Sequence, residues 1–372
     1  MTFEDIIHDA ETRRENIING GYNCIPLPYK RFRSIYPGTE QEKYIIISAN
    51  QKIGKTKLAD NLYMYEPIFF MVEHPEIKIN IYCFSLEITP KIKYYDFLSY
   101  LLYRLDGICI STSDLKSTNK DKPLNPEILD ILKQDKYQVY VKKWEESVTF
   151  ITDIKNPTGI YKFLKKKAEE RGHYNYVSFT KSDGTKAQMR DQSNPYTPDD
   201  ASVYNFAIID NYTNLTLESN YTKSQNIEKM SKYCVELRDI YKYTMIGVQH
   251  QAQSQEGIEN LKYNKLEPSS DGLGDCKLTT RDINALIGLF DPFKHGRDVY
   301  EGYDLTRLQN YCRFMIICED RDYGSAGNIC PLFFNGASSC FQELPPPDDI
   351  RSMAEVYRHI DYLERLKYSQ VQ

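Results

Sequence analysis

The sequence predicts a doubly wound α/β domain: a mainly parallel sheet with helices on both faces. Two observations carry this. Short, wholly apolar runs alternate with longer stretches of helical period, as in a sheet buried on both sides. The first of these runs also feeds a glycine-containing loop and then a helix, the usual entry to such a sheet.

The apolar runs are Tyr44 to Ser48, Asn80 to Ser85, Asn205 to Ile209, Thr244 to Val248, Ala285 to Phe290 and Arg313 to Ile317, and each predicts a strand. Between them lie helical patterns. Ile227, Met230, Cys234, Leu237 and Tyr241 step by three and four residues, as do Ile92, Tyr95, Leu98, Leu102 and Leu105. Thr158 to Arg171 reads as a further helix closed by Gly172. Ahead of the first strand, Thr2 to Asn19 predicts a helix with Thr2 as cap, Asp5 at the third position and Gly20-Gly21 as its end.

Two regions break the alternation. Residues 173–200 are polar, with Ser182-Asp183-Gly184 as a hairpin turn, and read as an insertion. After Pro345-Pro346-Pro347 comes an amphipathic helix with Ile350, Met353, Tyr357, Ile360 and Leu363 on one side, expected to dock on the body or on a neighbour. The predicted organisation is therefore a helix at 1–20, a main domain at 21–344 and a helical tail at 345–372.

Composition narrows the function classes. The 372 residues are 41% hydrophobic and 27% charged, a globular balance. A formal net charge of −5 excludes coating nucleic acid by bulk charge but leaves room for a local basic channel. The longest apolar runs are too short to cross a bilayer, and Met1 to Asp5 lacks a signal-peptide core, so no membrane partner is expected. Nine scattered cysteines without a CxxC pair suit reduced thiols and a cytoplasmic setting. The six histidines show no metal-ligand spacing, and no nucleophile elbow occurs.

The chemistry concentrates in Ala49-Asn50-Gln51-Lys52-Ile53-Gly54-Lys55-Thr56, which follows the first strand and precedes a helical stretch beginning near Lys57. Its spacing is that of a phosphate-binding loop, with Ala in place of the leading Gly. Successive backbone N–H groups would wrap the phosphates and the helix N-terminus would add positive potential. Lys55 would reach the β- and γ-phosphates, and Thr56 would place its hydroxyl on Mg²⁺. Asp210 ends an apolar strand and is the candidate second metal group. Glu87, just after the second strand, is either the base that orients water or a solvated glutamate opening a helix. Lys223, Lys262, Lys265 and Lys277 lie in polar stretches after strand ends. They are candidate phosphate contacts or ordinary surface lysines.

Taken together these residues resemble the ATPase domain of DnaB-like replicative helicases, the ring-forming branch of RecA-type motors. The phrase from Ile45 to Thr56 is similar to that family's phosphate loop, including the leading Ala. Phe84-Ser85-Leu86-Glu87 is similar to its Phe-Ser-Leu-Glu, whose Glu activates water. Asp210-Asn211-Tyr212 sits where the family has Asp-Tyr-Leu, and Gly247-Val248-Gln249 matches a strand end whose Gln senses nucleotide state. Arg281 to Ile287 looks like the family's Gln-Asp-Ala-Asp strand. Cys318-Glu319-Asp320-Arg321-Asp322-Tyr323-Gly324 looks like its Lys-x-Arg-x-Gly turn, which makes Arg321 the match for a finger reaching the neighbouring subunit.

The resemblance implies a RecA-like fold, ATP and Mg²⁺ as ligands, and a hexameric ring that translocates on single-stranded DNA and unwinds duplex in replication. A phage-type protein working in host cytoplasm, with replication proteins as further partners, fits the short architecture. The helix Thr2–Asn19 resembles the linker that grips the next subunit. Departures are Glu319 for Lys, Arg281 for Gln, one extra residue before Gly324, the 173–200 insertion, and no counterpart of the primase-docking domain. A RecA- or KaiC-like recombinase or regulatory ATPase is the alternative enzyme on this fold. A nucleotide-binding ring scaffold or loader with weak hydrolysis is the alternative that Glu319 favours.

Overall fold

The structure is a computed structural model and describes residues 2–263 and 265–369. Helix α1 (Phe3–Ile18) opens the chain, with Thr2 and Asp5 forming a reciprocal capping box and Gly20 in the left-handed region just beyond its end. None of its residues is buried.

A nine-stranded sheet then forms the body. In chain order its strands are β1 (Tyr44–Ala49), β2 (Ile79–Ser85), β3 (Val148–Ile151), β4 (Tyr204–Asp210), β5 (Thr244–His250), β6 (Ala285–Phe290), β7 (Cys312–Asp320), β8 (Ile329–Asn335) and β9 (Cys340–Glu343). Their spatial order is β9-β8-β7-β6-β1-β5-β4-β2-β3. From β6 to β3 every pairing is parallel; β7, β8 and β9 add an antiparallel meander.

The helices are α2 (Lys55–Asp60), continued through a widened turn at Asn61–Tyr65 into α3 (Glu66–Glu73), then α4 (Pro90–Asp106), α5 (Asp135–Ser147), α6 (Pro157–Glu169), α7 (Lys223–Asp239) and α8 (Ile350–Ser369). Alternate residues of each strand feed opposite cores. Ile45, Ile47, Phe206 and Ile208 pack with Leu58, Phe97 and Trp144 on one face. Tyr44, Ile46, Ala207 and Ile209 pack with Ile160, Ile227, Met230 and Leu237 on the other. Two covered faces explain why the strands read as unbroken apolar runs.

The structure corrects four expectations. The run Arg313–Ile317 lies in an antiparallel strand. The connection from β6 holds only short turns and the two-stranded ribbon Val299–Tyr300 with Tyr303–Asp304, with no helix to cross the sheet and return the chain in the same direction. In α4 the expected stripe sits at the shoulder: Ile92, Tyr95 and Leu98 are only half-buried, while Lys93, Asp96, Phe97, Ser99 and Tyr100 point inward. Helix α6 ends at Glu169, and Gly172 starts a strand rather than closing the helix. In α8, Met353, Ile360 and Leu363 are buried but Ile350 is 81% exposed.

The insertion forms two antiparallel ribbons, Gly172–Tyr174 with Tyr196–Pro198 and Tyr176–Thr180 with Lys186–Arg190, the second reversing at Ser182-Asp183-Gly184. Helix α8 lies against its own chain. The Tyr311 hydroxyl donates to Glu364 Oε1 at 2.7 Å, and the Arg307 guanidinium sits 3.7 Å over the Tyr357 ring. Among the described residues no helix is long and apolar enough to cross a membrane.

Trp144 anchors the outer edge of the sheet. It is 1% exposed and stacks on Phe97 with ring centroids 4.1 Å apart. Trp144→Ala is expected to cost about 3–5 kcal/mol in equilibrium urea unfolding, from lost burial and the cavity left behind.

Candidate active site

The parallel strands all end at one edge, and an open cleft of about 490 Å³ lies there. Gln51, Lys52, Gly54, Lys55, Thr56, Lys57, Asp60, Glu87, Asp96 and His250 line it. The loop after β1 turns because Lys52 and Gly54 take positive φ, 63° and 109°. α2 begins directly at Lys55, two residues earlier than expected, so its unsatisfied N–H groups face the cleft. Ala49 closes β1, and Asn50 and Ile53 are buried supports beneath the loop.

Buried groups hold the loop from below. Arg313 Nε donates to the Ile53 carbonyl at 3.0 Å, and its Nη2 lies 3.1 Å from Asp291 Oδ2. Phe334 lies under Gly54, where a Cβ would meet its Cζ at 3.3 Å. These supports come from β7 and β8 and escaped the sequence reading, which treated Arg313 only as part of an apolar run.

The acidic groups converge from the neighbouring strands. The Leu86 N–H donates to the Asp210 carbonyl at 2.8 Å, which ties the ends of β2 and β4 together. Thr56 Oγ1 donates to Asp210 Oδ1 at 3.0 Å, so the predicted hydroxyl and carboxylate meet. Asn211 Nδ2 donates to Glu87 Oε2 at 2.7 Å and orients that carboxylate toward the cleft. Burial lowers the Lys55 ammonium from its ordinary value, while the charges of Glu87 and Asp210 pull it back up. Lys55, Thr56, Glu87 and Asp210 thus form one cluster. Lys93, buried beneath it, also reaches Asp210, and the sequence pattern had hidden it on a helix face read as solvated.

Gln249 is placed differently from a residue that touches a ligand. It is fully buried, its Nε2 donating to the carbonyls of Gly274 at 2.7 Å and Cys276 at 2.8 Å, while Thr279 Oγ1 donates to its Oε1 at 3.1 Å. Its neighbour His250 lines the cleft instead. Burial, aided by the positive charge of Lys55, pushes the His250 imidazole down to about 4, so it is neutral near pH 7. The chemistry of a strand tip could have flagged His250, because residues alternate sides along a strand.

Arg321 stands apart. Asp320 at the end of β7 pairs with Ala285, which pairs with Ile45 at the start of β1. The phosphate loop leaves the other end of β1, about 13 Å away at 3.3 Å per residue. There Arg321 is exposed, donating to the Arg281 carbonyl at 2.6 Å and the Thr280 carbonyl at 3.2 Å. Glu319 is also exposed at this edge. The four candidate lysines all lie on the exposed surface. Lys223 makes an ion pair with Asp275 at 3.1 Å, and Thr213 Oγ1 donates to the same carboxylate at 2.9 Å, joining the two polar stretches.

A divalent ion fits this donor set. Among the described residues no cluster of three or more His, Cys, Asp or Glu could cage a metal alone. One hydroxyl and one carboxylate beside a phosphate loop suit Mg²⁺, which keeps waters and shares phosphate oxygens.

Gly54→Ala is expected to weaken nucleotide binding by at least about tenfold, from strain at positive φ and the clash with Phe334. Fluorescent-nucleotide titration checks this, and a near-normal melting temperature would show that the loss is local.

No protein-family model and no curated protein matches the chain. Among solved structures it is similar to a free-standing ATPase domain, with 12% identity and a TM-score of 0.59 over 91% of this chain and 99% of that one. It is also similar to a DnaB-like replicative helicase described with its primase interactions, with 13% identity and a TM-score of 0.60 over 90% of this chain and 67% of that one. A KaiC-like protein from Pyrococcus horikoshii superposes with a TM-score of only 0.45 at 10% identity, too low to bear on the argument. The fold of this chain is that of the RecA-type ATPase domains of DnaB-like helicases.

Proposed function

We propose that the chain is an ATP-driven DNA helicase: a ring-forming motor that moves along single-stranded DNA and opens duplex during replication. The observation that carries the reading is the meeting of Lys55, Thr56, Asp210 and Glu87 at one sheet edge while Arg321 stands at the other. ATP would lie in the cleft with its phosphates on the loop Gln51–Thr56. Thr56 and Asp210 would hold Mg²⁺, which neutralises phosphate charge when bound. Glu87, oriented by Asn211, would take the proton of the attacking water.

The finger is the missing part within one chain, so Arg321 serves a neighbouring copy's nucleotide. Fingers of this kind are worth roughly 10³–10⁵ in rate. Helix α1 supports assembly. Its Phe3, Ile6, Ile7, Ile17 and Ile18 are exposed, with Phe3 at 77%, and a helix that buries nothing in its own chain gains its packing from another.

Single-stranded DNA would pass the loops that follow β4 and β5. The second of these is bound to β5 through Gln249, so a shift of the strand tip beside the nucleotide would move it. A ring of six copies, with the lysines as sparse phosphate contacts, suits sequence-independent movement.

The decisive experiment is ATP hydrolysis with and without single-stranded DNA, alongside strand displacement on a forked duplex. DNA-stimulated turnover with unwinding is expected; turnover indifferent to DNA would favour a regulatory ATPase. Lys55→Ala is expected to abolish turnover. Glu87→Gln should still bind ATP while phosphate release falls about 10²–10⁴-fold.

A further inference from the structure

A lysine with no solvent exposure lies directly beneath the site. Lys93 is 0% exposed, and its Nζ stands 2.8 Å and 2.7 Å from the two oxygens of Asp60 and 3.1 Å from Asp210 Oδ2. Asp60 is also buried and lies one helical turn beyond Thr56 on α2. Asp210 is therefore divided: Oδ1 takes the Thr56 hydroxyl and Oδ2 takes the ammonium.

Burying three charges costs several kcal/mol per ion before their attraction repays it, and apolar residues of similar size commonly fill such space at no loss of stability. A purely structural role gives no reason for this choice. The placement gives one. The ammonium joins α2, which carries Thr56, to β4, which ends in Asp210, and to α4, which follows Glu87 by three residues.

We propose that Lys93 is a positioning residue for the metal site. Anchored by Asp60, it pins one oxygen of Asp210 so that the other alone faces Thr56 and the hydrated Mg²⁺. This rests on the reading of the cleft as an ATP and Mg²⁺ site. Two carboxylates and one ammonium leave a net charge of about −1 below the ion, held at a fixed place, rather than a carboxylate free to rotate. Partners that orient metal-binding groups in this way are worth about 10–100-fold in metal affinity.

The test uses the full chain and a fluorescent N-methylanthraniloyl ATP, titrated with Mg²⁺ and compared with binding in EDTA. The double variant Asp60→Leu with Lys93→Leu removes both charges of the pair and leaves no lone buried ammonium. It is expected to melt at or above the parent temperature and to bind nucleotide normally in EDTA. Its half-saturating Mg²⁺ concentration should rise by at least about tenfold. Asp60→Asn, nearly isosteric, should shift the Mg²⁺ requirement the same way by a smaller factor, and it decides the matter if the double variant does not fold. An unchanged requirement would overturn the proposal, as would a lower one, which would make Lys93 a competitor of the metal. Failure of the parent chain to bind nucleotide even with Mg²⁺ would instead sink the underlying reading of the cleft, and this proposal with it.

Discussion

Strand direction decides where each functional group of this chain can stand. Because β1, β2, β4 and β5 run parallel, their C-terminal ends bring a phosphate loop, two carboxylates and a histidine to one edge. Because β7 runs the other way, its last residues carry Arg321 to the opposite edge. No side-chain motion closes a gap set by the length of a strand. A site built from these parts is complete only between two copies.

Within one copy, a buried electrostatic core gives the site its rigidity. Asp210 is held by a hydroxyl on one side and an ammonium on the other, and the loop above it is held by Arg313 and Asp291. Charges fixed in a weakly polarisable interior act strongly on nearby groups and need little reorganisation when charge develops. Burial raises the Asp60 carboxyl to about 6 even with Lys93 beside it, which shows how tightly this cluster is removed from water. The antiparallel strands β7 and β8, added beyond the parallel sheet, thus have a use at the site: they supply Arg313 and Phe334, the props of the phosphate loop.

Much of this was legible because it is local in sequence. The loop Ala49–Thr56, its strand and its helix are one continuous segment, and Glu87 and Asp210 each end an apolar run. What escaped was set by distant contact. Lys93 and Asp60 are 33 residues apart and meet only when α2 and α4 pack. The helical stripe was misplaced for the same reason, since polar residues that serve a site reverse the ordinary rule that apolar residues face inward. β3, β8 and β9 were missed because edge strands are short and only partly covered, with no strong apolar run to mark them. Gln249 was found at the right strand tip but one residue from the cleft. Its amide binds the following loop, leaving His250 to face the nucleotide pocket.

An exposed apolar helix at the N-terminal end, an arginine at the far sheet edge and a docked C-terminal helix all suit a chain whose activity belongs to an assembly. The sharpest test of that claim mixes two inactive variants. Lys55→Ala chains lack a working phosphate loop but keep the arginine, and Arg321→Ala chains keep the loop but offer no finger. Each alone should hydrolyse almost no ATP, and mixed assemblies should regain measurable turnover wherever an intact loop meets an intact arginine. If Arg321→Ala chains alone hydrolyse at the parent rate, or the parent chain does so as a monomer, the site is complete within one copy and the shared-site reading fails.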